Sequence, residues 1–368
     1  MIKNETTSVL IIGAGLSGLC TAYFLDQMGI NYQIIEARER IGGRILTVMN
    51  SKGGTLEMGA TWFGDKHTHL ISLLKTLNVA YEQQYIGNRV LYEFESPHRV
   101  VQLIDHPSAM ELSYRLSDGT SSLMSAIHDR LNQKQISLGE QVVSLQFLDD
   151  RVKIITNNRE LQVSTIICTL PPNLFINQIS TTPELPKDVS SLFSQTHTWM
   201  GESIKVGLEY ERAFWKDEQI GSIFSQISPV YEMHDHSGSH SKYIGLKGFM
   251  HPSFSNLSKA KRKALVIEQM EYYFGELALN PLSYHEMDWK GETHTFYPYS
   301  SDIVPHQNNG NKKLRLPYFD AKLFFAGSET SASFPGYMEG AIESALRVSD
   351  ELAKSLQLTG ARSSILKR

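Results

Sequence analysis

The chain has 368 residues, of which 41% are hydrophobic and 20% are charged, and its formal net charge is −4. This balance is typical of a globular protein with room for two domains and a shared core. The charge excludes a basic field that would attract nucleic acid or an anionic membrane surface.

The location of the protein is inferred from its N-terminus and its cysteines. The opening "MIKNETTSVLIIGAG" has neither the long apolar run nor the cleavage site of a signal peptide. Cys20 and Cys168 lie in apolar patterns that predict burial and no disulfide. We therefore expect a cytoplasmic protein.

The first predicted unit is a strand, a glycine-rich turn, a helix and a second strand. Val9–Ile12 is a continuous apolar run, as in a parallel strand covered on both faces. Gly13, Gly15 and Gly18 form G-x-G-x-x-G, and Glu36 ends the next strand. Such glycines let a pyrophosphate reach the helix N-terminus, and the acid binds ribose hydroxyls. The unit predicts a dinucleotide site, the alternative being a structural βαβ unit.

The next glycines favour FAD over NAD. The run "ARERIGGR" resembles the second glycine motif of FAD-binding oxidoreductases of the glutathione-reductase superfamily, and "KGGTLEMGATWFG" resembles the segment that crosses near the flavin in amine oxidases. Propensity by itself would predict only a loop here. The candidate cofactor-binding residues are Arg38, Gly42, Gly43, Arg44, Gly59, Ala60, Thr61 and Trp62. For Trp62 the alternative is a tryptophan that only packs in the crossing segment.

The middle of the chain alternates between helical and strand-like patterns. "HLISLLKTLN" predicts a helix, residues 79–113 predict short strands, and another helix is expected from near Gly119. Short alternating strands with polar turns then indicate a β-meander, whose last strand, 165–169, is apolar on both faces.

The stretch "MGESIKVGLEY" predicts a strand with two different faces. Ile204, Val206 and Leu208 alternate with Lys205 and Gly207, so periodicity places the lysine on a polar face. Burial statistics for lysine would leave that face in solvent.

The loop "MHDHSGSHSKY" raises the question of a metal site. Its His234, Asp235, His236 and His240 are potential ligands, but a polar hairpin loop explains them better, and no metal is expected. A helix pattern at 259–274 follows.

The C-terminal part carries the second strong signal. "AKLFFAGSETSASFPGYMEGAIESALRV" predicts a buried strand, a Gly-Ser-Glu turn and a long helix that starts near Tyr337. The partial positive charge of a helix N-terminus suits the N1–C2=O edge of a reduced, anionic flavin.

Taken in order, these motifs resemble the flavin-containing monoamine oxidase family over nearly the whole chain. The similar stretches are "GAGLSGL…EARERIGGR", "GATW", "SDGTSSLMSAI", "TLPPNLF", "MGESIKVGLEYERAFW" and "FFAGSETSASFPGYMEGAIESA". The resemblance implies an α/β fold with a Rossmann-like FAD-binding domain, assembled from 1–80, 114–193 and 289–368. It implies a second, α+β substrate domain on a mixed sheet, built from 81–113 and 194–288.

The resemblance also implies roles for individual residues. Lys205 would contact the flavin N5 through a water, and Tyr337 would line an aromatic cage in front of the flavin. Tyr299 is either the second cage tyrosine or an ordinary loop aromatic. The remaining implied cofactor residues are Val142 at the adenine, Gly327, Glu329 near the ribityl–pyrophosphate portion, Gly336, and Met338 with its backbone N–H toward the flavin carbonyl.

Three departures from the family pattern qualify the resemblance. Pro298 stands where the mammalian enzymes carry the flavin on a cysteine, so non-covalent FAD is expected. The membrane-anchoring tail is absent, which implies a soluble protein. The segment 81–113 is shorter than the family's helical insertion, which implies either an open substrate site or a roof supplied by a partner chain.

The implied activity is FAD-dependent oxidation of a small-molecule amine to an imine, which hydrolyses to an aldehyde plus ammonia or amine. O₂ would reoxidise the flavin and yield H₂O₂, while the protein orients and tunes the cofactor. Two alternatives stay open: a desaturase or protoporphyrinogen-type oxidase for apolar substrates, and a flavin-binding interaction protein without turnover.

Overall fold

The fold was examined in a computed structural model, which describes residues 9–95, 98–105, 112–238 and 243–356. The described α-helices are α1 (Leu16–Gln27), α2 (Thr68–Leu77), α3 (Ser121–His128), α4 (Pro172–Gln178), α5 (Lys187–Ser194), α6 (Lys259–Phe274) and α7 (Met338–Ser355). None of these helices combines the length and apolar character that a membrane-spanning segment requires.

The strands alternate with these helices along the described chain. They are β1 (Val9–Ile12), β2 (Tyr32–Ile35), β3 (Thr47–Met49), β4 (Thr55–Glu57), β5 (Phe63–Gly64), β6 (Tyr81–Gln83), β7 (Arg89–Glu95), β8 (Arg99–Asp105), β9 (Ser113–Leu116), β10 (Ile136–Ser137), β11 (Val142–Phe147), β12 (Val152–Thr156), β13 (Glu160–Val163), β14 (Thr165–Cys168), β15 (Ser180–Thr182), β16 (Ile204–Glu209), β17 (Ile220–Ser225), β18 (Val230–Asp235), β19 (Gly245–Met250), β20 (Ser283–Asp288) and β21 (Leu323–Phe325).

A parallel sheet drawn from distant parts of the chain forms the first layer. Its described strands lie in the order β10-β2-β1-β14-β21, and every pairing is parallel. Apolar runs such as Val9–Ile12 suit these strands, because both faces of the sheet are covered. Helices α1 and α7 pack on one face, and the β11–β13 strands with α4 and α5 pack on the other.

A mixed sheet forms the second large layer. Its described strands lie in the order β20-β16-β19-β18-β17-β7-β8, with β7 and β17 parallel and the other neighbours antiparallel. Helix α6 covers one face through Val266 and Met270, which join a core with Trp215 and Leu208. The opposite face of the sheet looks toward the segment that contains β4.

The contact between β4 and the mixed sheet depends on a glycine. A side chain at Gly207 on β16 would place its Cβ 2.5 Å from the Leu56 side chain. Leu56 instead packs into a small buried cluster with Met58 and Tyr243. The chain between residues 55 and 63 therefore lies directly against the mixed sheet.

Most predicted elements appear where the sequence placed them. The helix predicted at 259–274 is α6, and the C-terminal helix begins at Met338 with Tyr337 as its N-cap. The predicted α/β class, with a parallel sheet and a second mixed sheet, agrees with the observed sheets. The predicted division into two discontinuous domains stays a prediction.

Gly18 lets α1 lie close to the glycine turn after β1, and a substitution at Gly18 tests that packing. A Cβ at Gly18 would lie 1.9 Å from the Gly13 carbonyl oxygen, a backbone atom that cannot move aside. Gly18→Ala should therefore lower the free energy of unfolding by about 2 kcal/mol or more, measured by urea unfolding of the purified protein.

Gly291→Ala is the matched control, because no heavy atom lies within 4 Å of its Cβ position. Equal stability changes in the two variants would show that the close approach of α1 to the glycine turn is not what Gly18 provides.

Candidate functional site

The glycine turn after β1 and the acid after β2 meet at one end of a long cavity. The Glu36 carboxylate accepts the Ala14 backbone N–H at 2.8 Å and the Arg38 backbone N–H at 2.9 Å. Gly13 has φ +102°, in the region that favours glycine. The side chain of Glu36 is thereby held beside the N-terminus of α1, where a dinucleotide's ribose and pyrophosphate would lie.

The second glycine motif packs directly on the first. Gly42 and Gly43 have φ values of +103° and +57°, and the Gly42 N–H donates to the Ala14 carbonyl at 2.8 Å. A Cβ on Gly43 would lie 3.2 Å from the Cα of Gly15. The two turns form a narrow cradle of backbone that larger side chains would fill, which fits a pyrophosphate group.

Arg44 connects this cradle to the C-terminal part of the chain. Its guanidinium donates to both Glu329 carboxylate oxygens, at 2.6 and 3.0 Å, and to Ser328 Oγ at 2.8 Å. Glu329 is fully buried, so this two-point ion pair satisfies a carboxylate that water cannot reach. Arg38 is held in a similar way by Glu292, with a contact of 3.0 Å.

The cavity has a volume of about 480 Å³ and joins the parallel sheet to the mixed sheet. Predicted site residues form much of its wall: Gly13, Gly15, Glu36, Arg38, Gly42, Gly43, Arg44, Gly59, Ala60, Thr61, Trp62, Val142, Lys205, Gly336, Tyr337 and Met338. Gly18, Gly327 and Glu329 lie behind this wall as packing or pairing residues. A long cavity with a glycine cradle at one end suits an extended dinucleotide such as FAD.

Lys205 lies on the polar face of β16, as the alternation predicted, but that face is buried. The side chain is largely inaccessible, and its Nζ donates to the carbonyl oxygen of Gly59. Burial lowers the pKa of Lys205 to about 8, against the opposing effect of the Glu57 and Glu232 carboxylates. The expectation of a solvent-exposed lysine from burial statistics is wrong, because the crossing segment 55–63 covers this face.

The aromatic part of the wall contains Tyr337, one of the two tyrosines considered for the cage. Tyr337 faces Trp199, with ring centroids 5.9 Å apart and an interplanar angle of 38°. Gly336 permits this approach, since a Cβ there would lie 2.6 Å from the Trp199 Cβ. Tyr299 is not among the described residues that line the cavity, and its hydroxyl accepts the Thr198 backbone N–H at 2.8 Å.

Several wall residues were missed from the sequence. Tyr231, Glu232 and Phe249 also line the cavity. An irregularity in the β18–β19 register between Val230 and Glu232 lets two consecutive residues face the same side. Strict alternation cannot foresee such a bulge, so the pattern gave no signal for this pair.

The acid and histidine side chains of β18 make hydrogen bonds to neighbouring residues. His234 Nε2 is 2.7 Å from Glu232 Oε1, and Asp235 accepts the Trp215 indole N–H at 2.8 Å. Within the described ranges no group of three or more His, Cys, Asp or Glu side chains has the geometry of a metal site. His240, the fourth residue of the candidate cluster, lies outside the described residues.

The cradle, the long cavity and its position between the parallel and the mixed sheet define the class: a dinucleotide-binding flavoprotein. Comparison with known sequences gives the family. The profile of the flavin containing amine oxidoreductases matches residues 16–102 and 82–353. The chain belongs to this family, and the predicted family, flavin cofactor and oxidoreductase class are confirmed.

Individual relatives agree with the family assignment. The chain is 23% identical to the bovine flavin-containing amine oxidase A, over 96% of this chain and 86% of that protein. It is 24% identical to a probable flavin-containing monoamine oxidase A of Dictyostelium discoideum, over 95% and 98% of the two chains.

Solved structures show the same fold at low sequence identity. Cyclohexylamine oxidase from Brevibacterium oxydans superposes with a TM-score of 0.83 at 20% identity, covering 96% of this chain and 100% of that one. A putrescine oxidase bound to putrescine gives a TM-score of 0.82 at 20% identity, with 95% and 99% covered. The predicted fold class is therefore confirmed.

The buried position of Lys205 predicts a pH-dependent stability. The pKa of Lys205 is about 8 in the folded protein and 10.5 in an unfolded chain. Below pH 8 the folded and the unfolded protein therefore both carry the proton, and burial of the cation lowers the free energy of unfolding by its full amount. Between these values the unfolded chain binds more protons, and the free energy of unfolding rises with pH.

Relative to Lys205→Met, the wild type should therefore gain about 3 kcal/mol of stability across this window. Urea unfolding of both proteins at several pH values measures the difference. A difference that stays constant with pH would contradict a buried, titrating Lys205.

Proposed function

We propose that this chain is an FAD-dependent amine oxidase that converts an amine to an imine, which hydrolyses to an aldehyde plus ammonia or amine, with O₂ reduced to H₂O₂. The observation that carries the proposal is the position of Lys205, a buried amine in the wall of a cavity whose other end is the glycine cradle. FAD bound there would supply the capacity to take up a hydride equivalent from the carbon next to the substrate nitrogen.

Different cofactor-binding residues would contact different parts of FAD along the cavity. The N-terminus of α1, at Gly15, would hold the pyrophosphate, and Glu36 would bind the adenosine ribose. The backbone of Val142 would meet the adenine, and the Met338 N–H at the start of α7 would donate to the flavin carbonyl. Glu329 would keep Arg44 oriented near the ribityl–pyrophosphate portion.

We further propose that FAD is held without a covalent bond. Cys20 and Cys168 are free thiols in the core, and neither is among the described residues that line the cavity. Burial also raises the pKa of both thiols, which keeps them protonated and unreactive.

The substrate end of the cavity favours an amine. Trp199 and Tyr337 form one aromatic wall, and Tyr231 and Phe249 form another, with ring centroids 6.2 Å apart. Desolvation among these rings favours the neutral form of an amine, which is the form that loses a hydride. The relatives named for cyclohexylamine and putrescine support an amine as the substrate class.

Lys205 would organise a water at the reacting edge of the flavin and assist the reaction of the reduced protein with O₂.

The domain organisation and the location of the protein are also proposed from its resemblance to the family. The FAD-binding domain comprises 1–80, 114–193 and 289–368, the substrate domain comprises 81–113 and 194–288, and the protein works in the cytoplasm.

Anaerobic mixing of the purified flavoprotein with a panel of amines tests the reaction. Bleaching of the flavin by a primary or secondary amine is expected, and acid precipitation should release FAD into the supernatant. Reduction by an apolar polyene or a porphyrinogen, with no response to any amine, would favour the desaturase-type alternative. Absence of reduction by every substrate would favour a binding protein without turnover.

Lys205→Met tests the role of the lysine. Reoxidation of the dithionite-reduced protein by O₂ should slow by roughly tenfold or more, as followed by stopped-flow absorbance, while the FAD content stays at the wild-type level. Lys216→Met is the control, because Lys216 also lies over an aromatic ring, that of Tyr85, but does not line the cavity. Parallel loss of FAD and of the reoxidation rate would indicate a merely structural Lys205.

A further inference from the structure

A second lysine, Lys247, is buried on the same face of the mixed sheet as Lys205. Its exposed fraction is 0%, and it lies in the middle of β19. Lys205 pairs with Phe249 and Gly207 pairs with Lys247, so the two lysines are diagonal neighbours on adjacent strands. Diagonal positions on one face are about 7–8 Å apart, close enough for long side chains to act on one neighbouring segment.

Both lysines reach the same crossing segment. Lys205 donates to the Gly59 carbonyl, and Lys247 donates to the hydroxyl of Thr61, two residues further along the chain. The Lys247 Nζ also lies 3.8 Å from the centroid of the Trp62 ring. The segment 59–62 is therefore held to the mixed sheet at two points by two amines.

Trp62, the residue under the Lys247 amine, is also held by other side chains. The indole N–H donates to Gln84 Oε1 at 2.9 Å, and the imidazole of His234 meets the ring edge-on at 5.0 Å. Trp62 itself lines the cavity, whereas Lys247 is not among the described wall residues. The N–H groups of an amine above the face of an indole make a favourable contact with the ring, and the contact is stronger when the amine is protonated.

The energetic cost of Lys247 argues for a role in the site. Burial, and then repulsion by Lys205, lowers the pKa of Lys247 well below its usual range. Glu57, Glu232 and Arg115 also act on this group, the two carboxylates raising its pKa and the arginine lowering it. An aliphatic side chain would fill the same volume without a desolvation penalty, so the packing of the fold by itself does not require a lysine here.

We propose that Lys247 is a positioning residue that fixes the indole of Trp62 as a wall of the substrate end of the cavity, where the Trp62 ring centroid lies 6.2 Å from that of Phe249. Lys205 holds the same segment at Gly59 and faces the reacting end, while Lys247 acts through Trp62 on the binding of the substrate. The inference rests on the proposed oxidation of an amine in this cavity. It assigns the two lysines separate tasks: one at the reacting edge and one in substrate recognition.

The kinetic test compares Lys247→Met, Trp62→Phe and the double variant, using the amine that reduces the flavin fastest. Lys247→Met should raise KM by about tenfold while changing kcat by less than about threefold. Because Lys247 acts through the indole, adding its substitution to Trp62→Phe should change KM little further. A full additional loss in the double variant, or an unchanged KM in Lys247→Met, would overturn the proposal.

A second readout does not depend on turnover. Acrylamide quenching of tryptophan emission is measured for each lysine variant with Trp62 and with Trp62→Phe, and the difference isolates Trp62. This component should become about twofold more accessible in Lys247→Met and stay unchanged in the control Lys216→Met. Unchanged quenching in Lys247→Met would overturn the positioning role even if amines are oxidised, and increased quenching with no amine oxidation would contradict only the proposed function.

Lys247→Gln keeps the test decisive if Lys247→Met does not fold. The amide retains a donor for Thr61 but removes the amine above the ring. Quenching of Trp62 should again increase in this variant, and quenching equal to that of the wild type would contradict the contact between Lys247 and Trp62.

Discussion

The ion pair between Arg44 and Glu329 is the interaction on which the geometry of the cavity depends. Arg44 comes from the second glycine motif and Glu329 from the turn before α7, and Arg44 also donates to the Trp199 carbonyl at 3.3 Å, where the chain approaches the mixed sheet. A fully buried carboxylate needs a partner. One guanidinium therefore fixes the relative position of the glycine cradle, the last helix and an aromatic wall of the cavity.

The opposite side of the cavity is held by buried amines that donate to the crossing segment 55–63. There, a sheet face that carries Lys205 and Lys247 is covered by a crossing segment, and each amine finds an acceptor in that segment. Glu57, at the start of the same segment, is also buried, and its carboxylate accepts the Thr120 N–H at 2.8 Å. Ionisable groups that are buried despite the free-energy cost of desolvation are common at functional sites.

The sequence predicted the parts of the site that are encoded locally. The glycine fingerprint, Glu36 and the start of α7 depend on neighbouring residues, and periodicity placed Lys205 on the correct face of its strand. The position of Lys247 beside Lys205 could not be predicted in the same way, because it depends on the pairing of β16 with β19. Trp199 becomes a wall residue through a close approach to Gly336, and the Tyr231–Glu232 pair through a bulge. These are relations between distant segments, which no local pattern contains.

The strand order of the parallel sheet has a consequence for how the protein is made. The central strand β1 lies between β2 and β14, and the edge strand β21 pairs with β14, so neighbours in this sheet are joined by up to 154 intervening residues between Cys168 and Leu323. Five of the seven described strands of the mixed sheet, β16–β20, are translated within that interval, and β7 and β8 are translated before it. The mixed sheet can therefore close before β21 is made. Helix α7 packs against α1, so the helix that follows the first glycine turn gains this cover only after the chain has been synthesised almost to residue 355.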